Sequence, residues 1–359
     1  MSRILFVLKR REDFDPAKHL EISQQCGLYN SISYVHNMLL DQGYQSQLSI
    51  CIDNNCINGF IYKFKPTHVI VEALWVVPSK IKLLQSMYPH IKWFIRLHSA
   101  IPFLSIESSQ SMKWIAEYCR IENTFIAVND PRLLNELSIY LSNALETIAD
   151  DTTPTPVVKD MSSRLVYLPN YYPVNDMQKP KGLISEDTIN IACFGAIRPF
   201  KNNMSQALAS IEFCRRKNKK LRFHINSGRN ELNGGNVYEN LIQLFANLDK
   251  NQYSLVCHPW ASRDDFLKIC SEIDIGMQVS FTETFNIVSA DILSNGVPVI
   301  GSSEIPWMNK RYTASSQDVE EIIDKLLLTY DNLERNVIDN QKSLSNYVND
   351  TINTWKENL

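Results

Sequence analysis

Glycine is scarce in this 359-residue chain, at 11 residues. Each one is therefore expected where the backbone needs a positive φ or a close approach. Long apolar runs are missing as well. Arg3–Leu8 (RILFVL) is too short for the apolar part of a secretory signal, and Lys9, Arg10 and Arg11 follow it at once. Val69–Pro78 is broken by Glu72 and falls far short of a membrane span. Neither sign of charge dominates: 36 Lys and Arg stand against 39 Asp and Glu, a net charge of −3. That balance provides no global pull toward nucleic acid or anionic lipid. The eight cysteines form no Cys-x-x-Cys pair and have no histidine cluster beside them. They read as thiols in a reducing compartment, not as a zinc site or a disulfide framework. The expectation is a soluble cytoplasmic protein with no metal site.

Hydrophobic residues make up 44% of the chain, enough for two ordinary cores. Short β-rich runs alternate with amphipathic helical stretches. The first series of candidate strands is Arg3–Leu8, Gln47–Ile52, His68–Glu72, Lys92–Leu97 and Thr124–Val128. Between the first two lies Leu28–Asp41, with Ile32, Val35, Met38 and Leu39 at helical spacing and Gly43 as its stop. The alternation pauses in the polar, proline-bearing Asp150–Ser163, passes a strand-like Arg164–Leu168, and resumes after Asp187. The second series is Ile189–Phe194, Leu221–Ile225, Ser254–Cys257, Ile273–Gln278 and Val297–Ile300. This predicts an α/β protein of two Rossmann-like domains, residues 1–170 and 171–344, facing a deep cleft. The final helix, 345–359, is expected to pack back on the first domain. Ligands of open α/β sheets bind beyond the carboxyl ends of the strands, so the residues just after strands are the candidates.

Two such places stand out in the second half. Gly195–Lys201 (GAIRPFK) follows a strand, and it carries Arg198 and Lys201 just before a helix over Asn203–Lys217. A diphosphate suits two cations there; a solvated basic loop is the plainer alternative. The other place is Glu283–Ile300 (ETFNIVSADILSNGVPVI), a helix expected to begin near Thr284 or Phe285, followed by a buried strand. The open amides of that helix end favour an anion. Glu283 stands at its threshold, and Asp291 lies two turns on, on roughly the same face. The two acids can accept hydrogen bonds from hydroxyls at two points of one elongated ligand. The alternative is an acid that merely complements the helix dipole and a surface charge at 291.

Glu-x7-acid followed by Gly-Val-Pro-Val-Ile resembles the donor-site motif of the retaining nucleotide-sugar glycosyltransferases with the two-domain GT-B fold. In that family the pattern is Glu-x7-Glu, then Gly-x-Pro-Val. The resemblance implies that Glu283 meets the sugar and Asp291 the ribose. It also implies that amides at Phe285, Asn286 and Ile287, with Thr284 beside them, hold phosphate. GAIRPFKN is similar to the family's Gly-Arg-x4-Lys-Gly loop: Gly195 and Lys201 match, the arginine comes two places late as Arg198, and Asn202 replaces the second glycine. Gly27, heading the first helix, resembles the glycine loop of the acceptor side. His98 resembles the cleft histidine, and Pro169-Asn170 the end of the first domain.

Other candidates carry less. Asp13-Phe14-Asp15 has the form of a divalent-metal motif but lacks partners. The loop Lys9–Cys26 is placed to touch acceptor or to act as a solvated flap. His258 and Trp260 follow a strand, where backbone can read a nucleobase; Trp260 also fits an ordinary core. His224 reads as a strand residue only. Glu72 meets acceptor or solvates a strand end. The resulting expectation is transfer of a sugar from a UDP- or GDP-sugar to an acceptor hydroxyl, with retention and without metal or cofactor. The acceptor class is a glycan or lipid. Compact length, few glycines and many asparagines, lysines and isoleucines also resemble glycosyltransferases of large DNA phages, which adds hydroxymethylated DNA bases as an acceptor option. The alternatives are a non-catalytic nucleotide-sugar-binding protein of the same fold and a sugar-nucleotide epimerase.

Overall fold

The computed structural model describes residues 2–10, 27–144 and 161–359. The chain divides into two compact units. One holds the N-terminal strand, Leu28–Tyr171 and Asp350–Leu359, and the other holds Gly27 and Tyr172–Asn349.

The first unit runs β1 (Arg3–Lys9), α1 (Gly27–Asp41), β2 (Gln45–Cys51), α2 (Cys56–Phe64), β3 (His68–Glu72), α3 (Pro78–Met87), β4 (Lys92–Leu97), α4 (Ile101–Glu107), α5 (Ser111–Cys119), β5 (Thr124–Val128), α6 (Pro131–Asn143) and β6 (Leu165–Tyr167). The six strands form one parallel sheet in the order β2-β1-β3-β4-β5-β6. Its central strands are buried almost end to end, as parallel strands covered on both faces must be. In α1 the expected residues Ile32, Val35, Met38 and Leu39 face the core, and Gly43 takes the positive φ of 82° that ends the helix.

The second unit runs β7 (Thr188–Cys193), α7 (Asn203–Arg216), β8 (Lys220–Asn226), α8 (Gly234–Ala246), β9 (Tyr253–His258), α9 (Arg263–Ser271), β10 (Ile275–Gln278), α10 (Ile287–Ser294), β11 (Val299–Ser302), β12 (Thr313–Ala314), α11 (Val319–Tyr330) and α12 (Leu333–Asn358). It too is a six-stranded parallel sheet, ordered β12-β11-β10-β7-β8-β9. The expected α/β architecture of two Rossmann-like halves is present. The short β12 has no clear sequence signature, and β10 and β11 each start two residues later than their apolar runs suggest.

Arg96 organises the first unit. It lies fully buried on β4, where Nε donates to Leu168 O at 3.0 Å and Nη2 donates to Pro169 O at 3.0 Å and to Asn170 Oδ1 at 2.6 Å. Its guanidinium also lies 5.3 Å from the ring centroid of Trp355, whose Nε1 donates to Pro169 O at 2.9 Å. Trp355 packs on Phe6, so the last turns of α12 are part of this core. The prediction is that Trp355→Ala costs about 3–5 kcal/mol of stability, as large buried aromatic truncations do. It would be read as a shift of the urea transition; a shift below about 1 kcal/mol would place the tryptophan outside the core.

Candidate functional site

The site of the second unit is assembled where β7 and β10 end. Gly195 follows β7 with φ +115°, a conformation L side chains rarely adopt, and its amide donates to Asn226 Oδ1 at 2.8 Å. The chain then makes a short 3-10 turn over Pro199–Lys201 before α7. Asn202, standing where the family motif has glycine, takes the left-handed conformation at φ 56°. Asparagine is the non-glycine residue that best tolerates this region. Its side chain secures the turn by donating to Val279 O at 3.1 Å and Ser316 O at 2.8 Å. The replacement keeps the backbone shape and adds two anchors.

That turn delivers Lys201 into the interior. Its Nζ lies 2.6 Å from Glu283 Oε1 and 3.1 Å from Gln278 Oε1. Both partners of the ion pair are buried, with side-chain exposures of 9% and 7%. Burial alone pushes the Glu283 carboxyl up, but Lys201 and then Arg198 outweigh it and hold the pKa below the usual carboxylate value. Glu283 is thus an anion fixed in place by a cation. Gln278 links the cluster further: it accepts from Asn286 Nδ2 at 3.0 Å and donates to Phe194 O at 2.8 Å.

The helix after Glu283 starts later than expected. It begins at Ile287, not at Thr284 or Phe285, because Asn286 serves as its N-cap at φ 54° and accepts from Ser289 N at 2.9 Å. One helix amide is therefore taken by the cap. The amides of Ile287 and Val288 precede the first intrahelical acceptor and have no partner within the helix. Phe285 is buried on Tyr172, Trp307 and Tyr347, and its carbonyl accepts from Trp307 Nε1 at 2.6 Å. Thr282 Oγ1 and Ser289 Oγ, on either side of this segment, are buried and make no hydrogen bond among the described residues. Buried hydroxyls are ordinarily paired, so these two retain capacity for a further hydrogen bond.

Asp291 departs from the plainer of its two sequence readings. It is not a surface charge: it is 3% exposed. Its Oδ1 accepts from Arg263 Nη2 at 2.7 Å and from Tyr172 Oη at 2.9 Å, and its Oδ2 accepts from Arg263 Nη1 at 2.8 Å. Burial raises its pKa, while Arg263 and Tyr172 pull it back down. Arg198 is not a free cation of the loop, since its Nη1 lies 3.4 Å from Glu231 Oε2 and Arg229 shares the same carboxylate. The loop and the Arg229–Glu231 segment are braced by Ile197 N to Arg229 O at 2.9 Å and Glu231 N to Ile197 O at 2.9 Å.

His258 is not isolated, and His224 is more than a strand residue. His224 Nδ1 and His258 Nε2 lie 2.9 Å apart, with the rings stacked. Asn190 Nδ2 donates to Asp274 Oδ2 at 2.9 Å, which leaves its Oδ1 to accept from His224 Nε2 at 3.2 Å. His224 Nδ1 is then an acceptor and His258 donates from Nε2. Burial lowers the pKa of both rings, that of His224 to about 4, so the relay is neutral. Trp260 is half-buried under Arg229, 5.2 Å from the ring centroid, instead of sitting in a core. A Cβ on Gly228 would meet Trp260 N at 2.5 Å, which explains the glycine.

In the first unit, His98 follows β4 and its Nε2 lies 2.5 Å from Glu72 Oε2. Burial lowers its pKa, the Glu72 bond raises it less, and Arg96 lowers it further, so the ring is neutral with its hydrogen on Nε2. Glu72, expected at a solvated strand end or against acceptor, is fully buried between Arg96 and His98. Its contacts are with Arg96 and the histidine. Gly27 opens α1. Asp13, Asp15, Cys26 and most of the Lys9–Cys26 loop lie outside the described residues, as does most of the polar stretch 150–163. Among the described residues no cluster of His, Cys, Asp or Glu is suited to a metal, and no helix is long and apolar enough to cross a membrane. The described cysteines are free thiols.

No family model matches the chain. No curated protein matches it by sequence either. Solved structures do match in fold. Sucrose-phosphate synthase from Thermosynechococcus elongatus superposes with a TM-score of 0.69 at 11% identity, over 99% of this chain and 98% of that one. An α,α-trehalose-phosphate synthase (UDP-forming) from Burkholderia vietnamiensis gives 0.65 at 10% identity, over 100% and 96%. Anabaena HepE in complex with UDP and glucose gives 0.62 at 11% identity, over 100% of both chains.

The Lys201–Glu283 pair has a pH signature. Because the Glu283 pKa is depressed, its stabilisation is present above the unfolded carboxylate value and fades as pH falls through the folded one. Lys201→Met leaves a buried carboxylate without its cation, at a cost of about 3–5 kcal/mol near neutral pH. Protonation relieves the variant, so the gap from wild type should shrink in urea titrations at acidic pH. A pH-independent gap would mean that Glu283 is not the group responsible.

Proposed function

We propose that the protein is a glycosyltransferase that moves a sugar from a nucleoside-diphosphate sugar to an acceptor hydroxyl. The observation that carries this reading is the buried Lys201–Glu283–Gln278 cluster beside the start of α10, in a fold shared with a UDP-forming trehalose-phosphate synthase. The diphosphate is assigned to the amides of Ile287 and Val288, with Lys201 and Arg198 of the Gly195–Lys201 loop as its cations. Glu283, an oriented anion, accepts from a sugar hydroxyl. Thr282 and Ser289 offer hydroxyls that have no other hydrogen bond.

Chemistry follows from these placements. Breaking the anomeric C–O bond leaves the bonding electron pair on the diphosphate. Lys201 and the helix amides stabilise that charge where it develops, so the leaving group departs without a side-chain proton donor. The acceptor hydroxyl bonds to the anomeric carbon as that bond breaks, and its proton passes to an oxygen of the departing diphosphate. Retention and independence of metal are part of the proposal and rest on the motif that Glu283 and Lys201 resemble. His98, the residue that resembles the family's cleft histidine, stays a candidate on that resemblance, with its ring fixed by Glu72. The donor is proposed as a UDP-sugar, since HepE is seen with UDP and glucose and the trehalose-phosphate synthases are UDP-forming. The acceptor is a hydroxyl compound.

The test uses UDP-glucose first. Calorimetry should show binding of UDP and UDP-glucose, and incubation should release UDP, slowly without acceptor and faster with one. Binding without any release would favour a non-catalytic binding protein. A hydrogen bond to a charged carboxylate contributes about 1.5–3 kcal/mol, so Glu283→Gln should lower kcat/KM roughly ten- to a hundred-and-fifty-fold. Unchanged turnover by that variant, with its folding checked by circular dichroism, would remove Glu283 from the reaction.

A further inference from the structure

The outer faces of α2 and α3 carry charge of one sign, in a chain whose net charge is −3. Between Asn54 and Lys92 stand five lysines, at 63, 65, 80, 82 and 92, and no arginine. The one carboxylate of that stretch, Glu72, is fully buried. Four of the lysines are exposed, and the half-buried Lys80 donates from Nζ to Asn55 Oδ1 at 2.9 Å. Acids at the margins are engaged: Asp53 accepts from Asn55 N at 2.7 Å, and Glu117 of α5 lies 3.8 Å from Lys113. Glu122 is exposed beyond the turn at Pro89.

Large apolar side chains stand among these lysines. Ile57 and Ile61 of α2, with Ile81 and Leu84 of α3, bury the inner faces in the core of the first unit. The outer faces present Tyr62 at 78% exposure, Leu83 at 52% and Met87 at 51%. Leu83 and Met87 are four residues apart and share one stripe of α3. The two helices are tied by Lys80 to Asn55 and by Tyr88 Oη, which donates to Asn58 Oδ1 at 2.5 Å, so both outer faces belong to one surface. A second copy of this face would be repelled by its like charge. Nucleic acid offers phosphate but no apolar partner, and its recognition favours the arginine fork that is missing here. An anionic bilayer offers both partners: lipid phosphates for the ammonium groups, and an apolar boundary just beneath them.

We propose that the α2–α3 face docks the protein on the surface of an anionic bilayer. Tyr62, Leu83 and Met87 enter the headgroup boundary, and the lysines lay their stems along it with the ammonium groups on lipid phosphate. The face lies wholly within the first unit and uses no residue of the donor site.

The experiment is co-sedimentation of the full chain with vesicles of phosphatidylcholine, alone or mixed in equal parts with phosphatidylglycerol. The chain should sediment with the anionic vesicles at low salt, stay in solution with the neutral ones, and be released by added salt. Lys63→Glu combined with Lys82→Glu should lower the partition coefficient about tenfold or more, since each lysine near an anionic surface contributes about fivefold. Leu83→Ser combined with Met87→Ser keeps every charge and should lower it about threefold or more, because serine has little apolar surface to bury. All four side chains are exposed, and circular dichroism checks that each variant folds. No sedimentation with anionic vesicles overturns the proposal, and so does binding that either double variant leaves unchanged. Retention on duplex DNA at a salt concentration that frees the vesicles, lost in the lysine variant, would make this a nucleic-acid surface and overturn the proposal as well.

Discussion

The buried ion pair between Lys201 and Glu283 is the constraint around which the second unit's site is arranged. Lys201 comes from the turn after β7 and Glu283 from the loop after β10, and adjacent parallel strands bring their carboxyl ends together. Nothing local holds them; the sheet order does. Burying such a pair is seldom a gain in stability over apolar packing of the same volume. Its consequence is positional: a carboxylate with a fixed charge and direction, next to helix amides, before any ligand arrives. Pre-set polarity of this kind needs no reorganisation when charge develops on a leaving group.

The first unit repeats the device with different parts. Arg96 near the end of β4, Glu72 at the end of the neighbouring β3 and His98 in the loop beyond β4 hold one another in place. Arg96 also takes the carbonyls of Leu168 and Pro169, so the same side chain that orients Glu72 fixes the segment leading to Tyr171. A lysine could not do this, because its single ammonium lacks the planar fork that reaches both sides.

Much of this was legible in the sequence. The bounds of β3, β4 and β5 coincide with their apolar runs, because strands buried on both faces read as unbroken hydrophobic segments. Gly195, Lys201 and Glu283 were marked by position after strands. The parts that escaped are those whose meaning depends on distant partners. Arg263, Tyr172 and His224 look ordinary in their local context, and they acquire roles only when α9, α10 and β8 are packed. The start of α10 was misjudged for a different reason: Asn286 is both cap and left-handed residue, and the apolar Phe285, Ile287 and Val288 around it hide the break. Asn202 looked like a defect in a glycine motif, although asparagine at positive φ supplies the same backbone with added anchors.

The charges around the site explain why a helix end matters there. Four cations, Arg198, Arg229, Lys201 and Arg263, stand against three anions, Glu231, Glu283 and Asp291, a sum of +1. Each phosphate of a nucleoside-diphosphate sugar brings one negative charge, so side chains alone leave the ligand under-compensated. The start of α10 supplies roughly half a positive charge through its oriented peptides, and it has no carboxylate in its first turn to cancel it. Acids do lie nearby, but each is held by its own cation: Asp291 by Arg263, Glu283 by Lys201, Glu231 by Arg198 and Arg229. Without Arg263 opposite Asp291, the sum would fall by a full unit where the proposed diphosphate lies. Pairing Asp291 with Arg263 and keeping the helix end attractive to phosphate are thus two effects of a single contact.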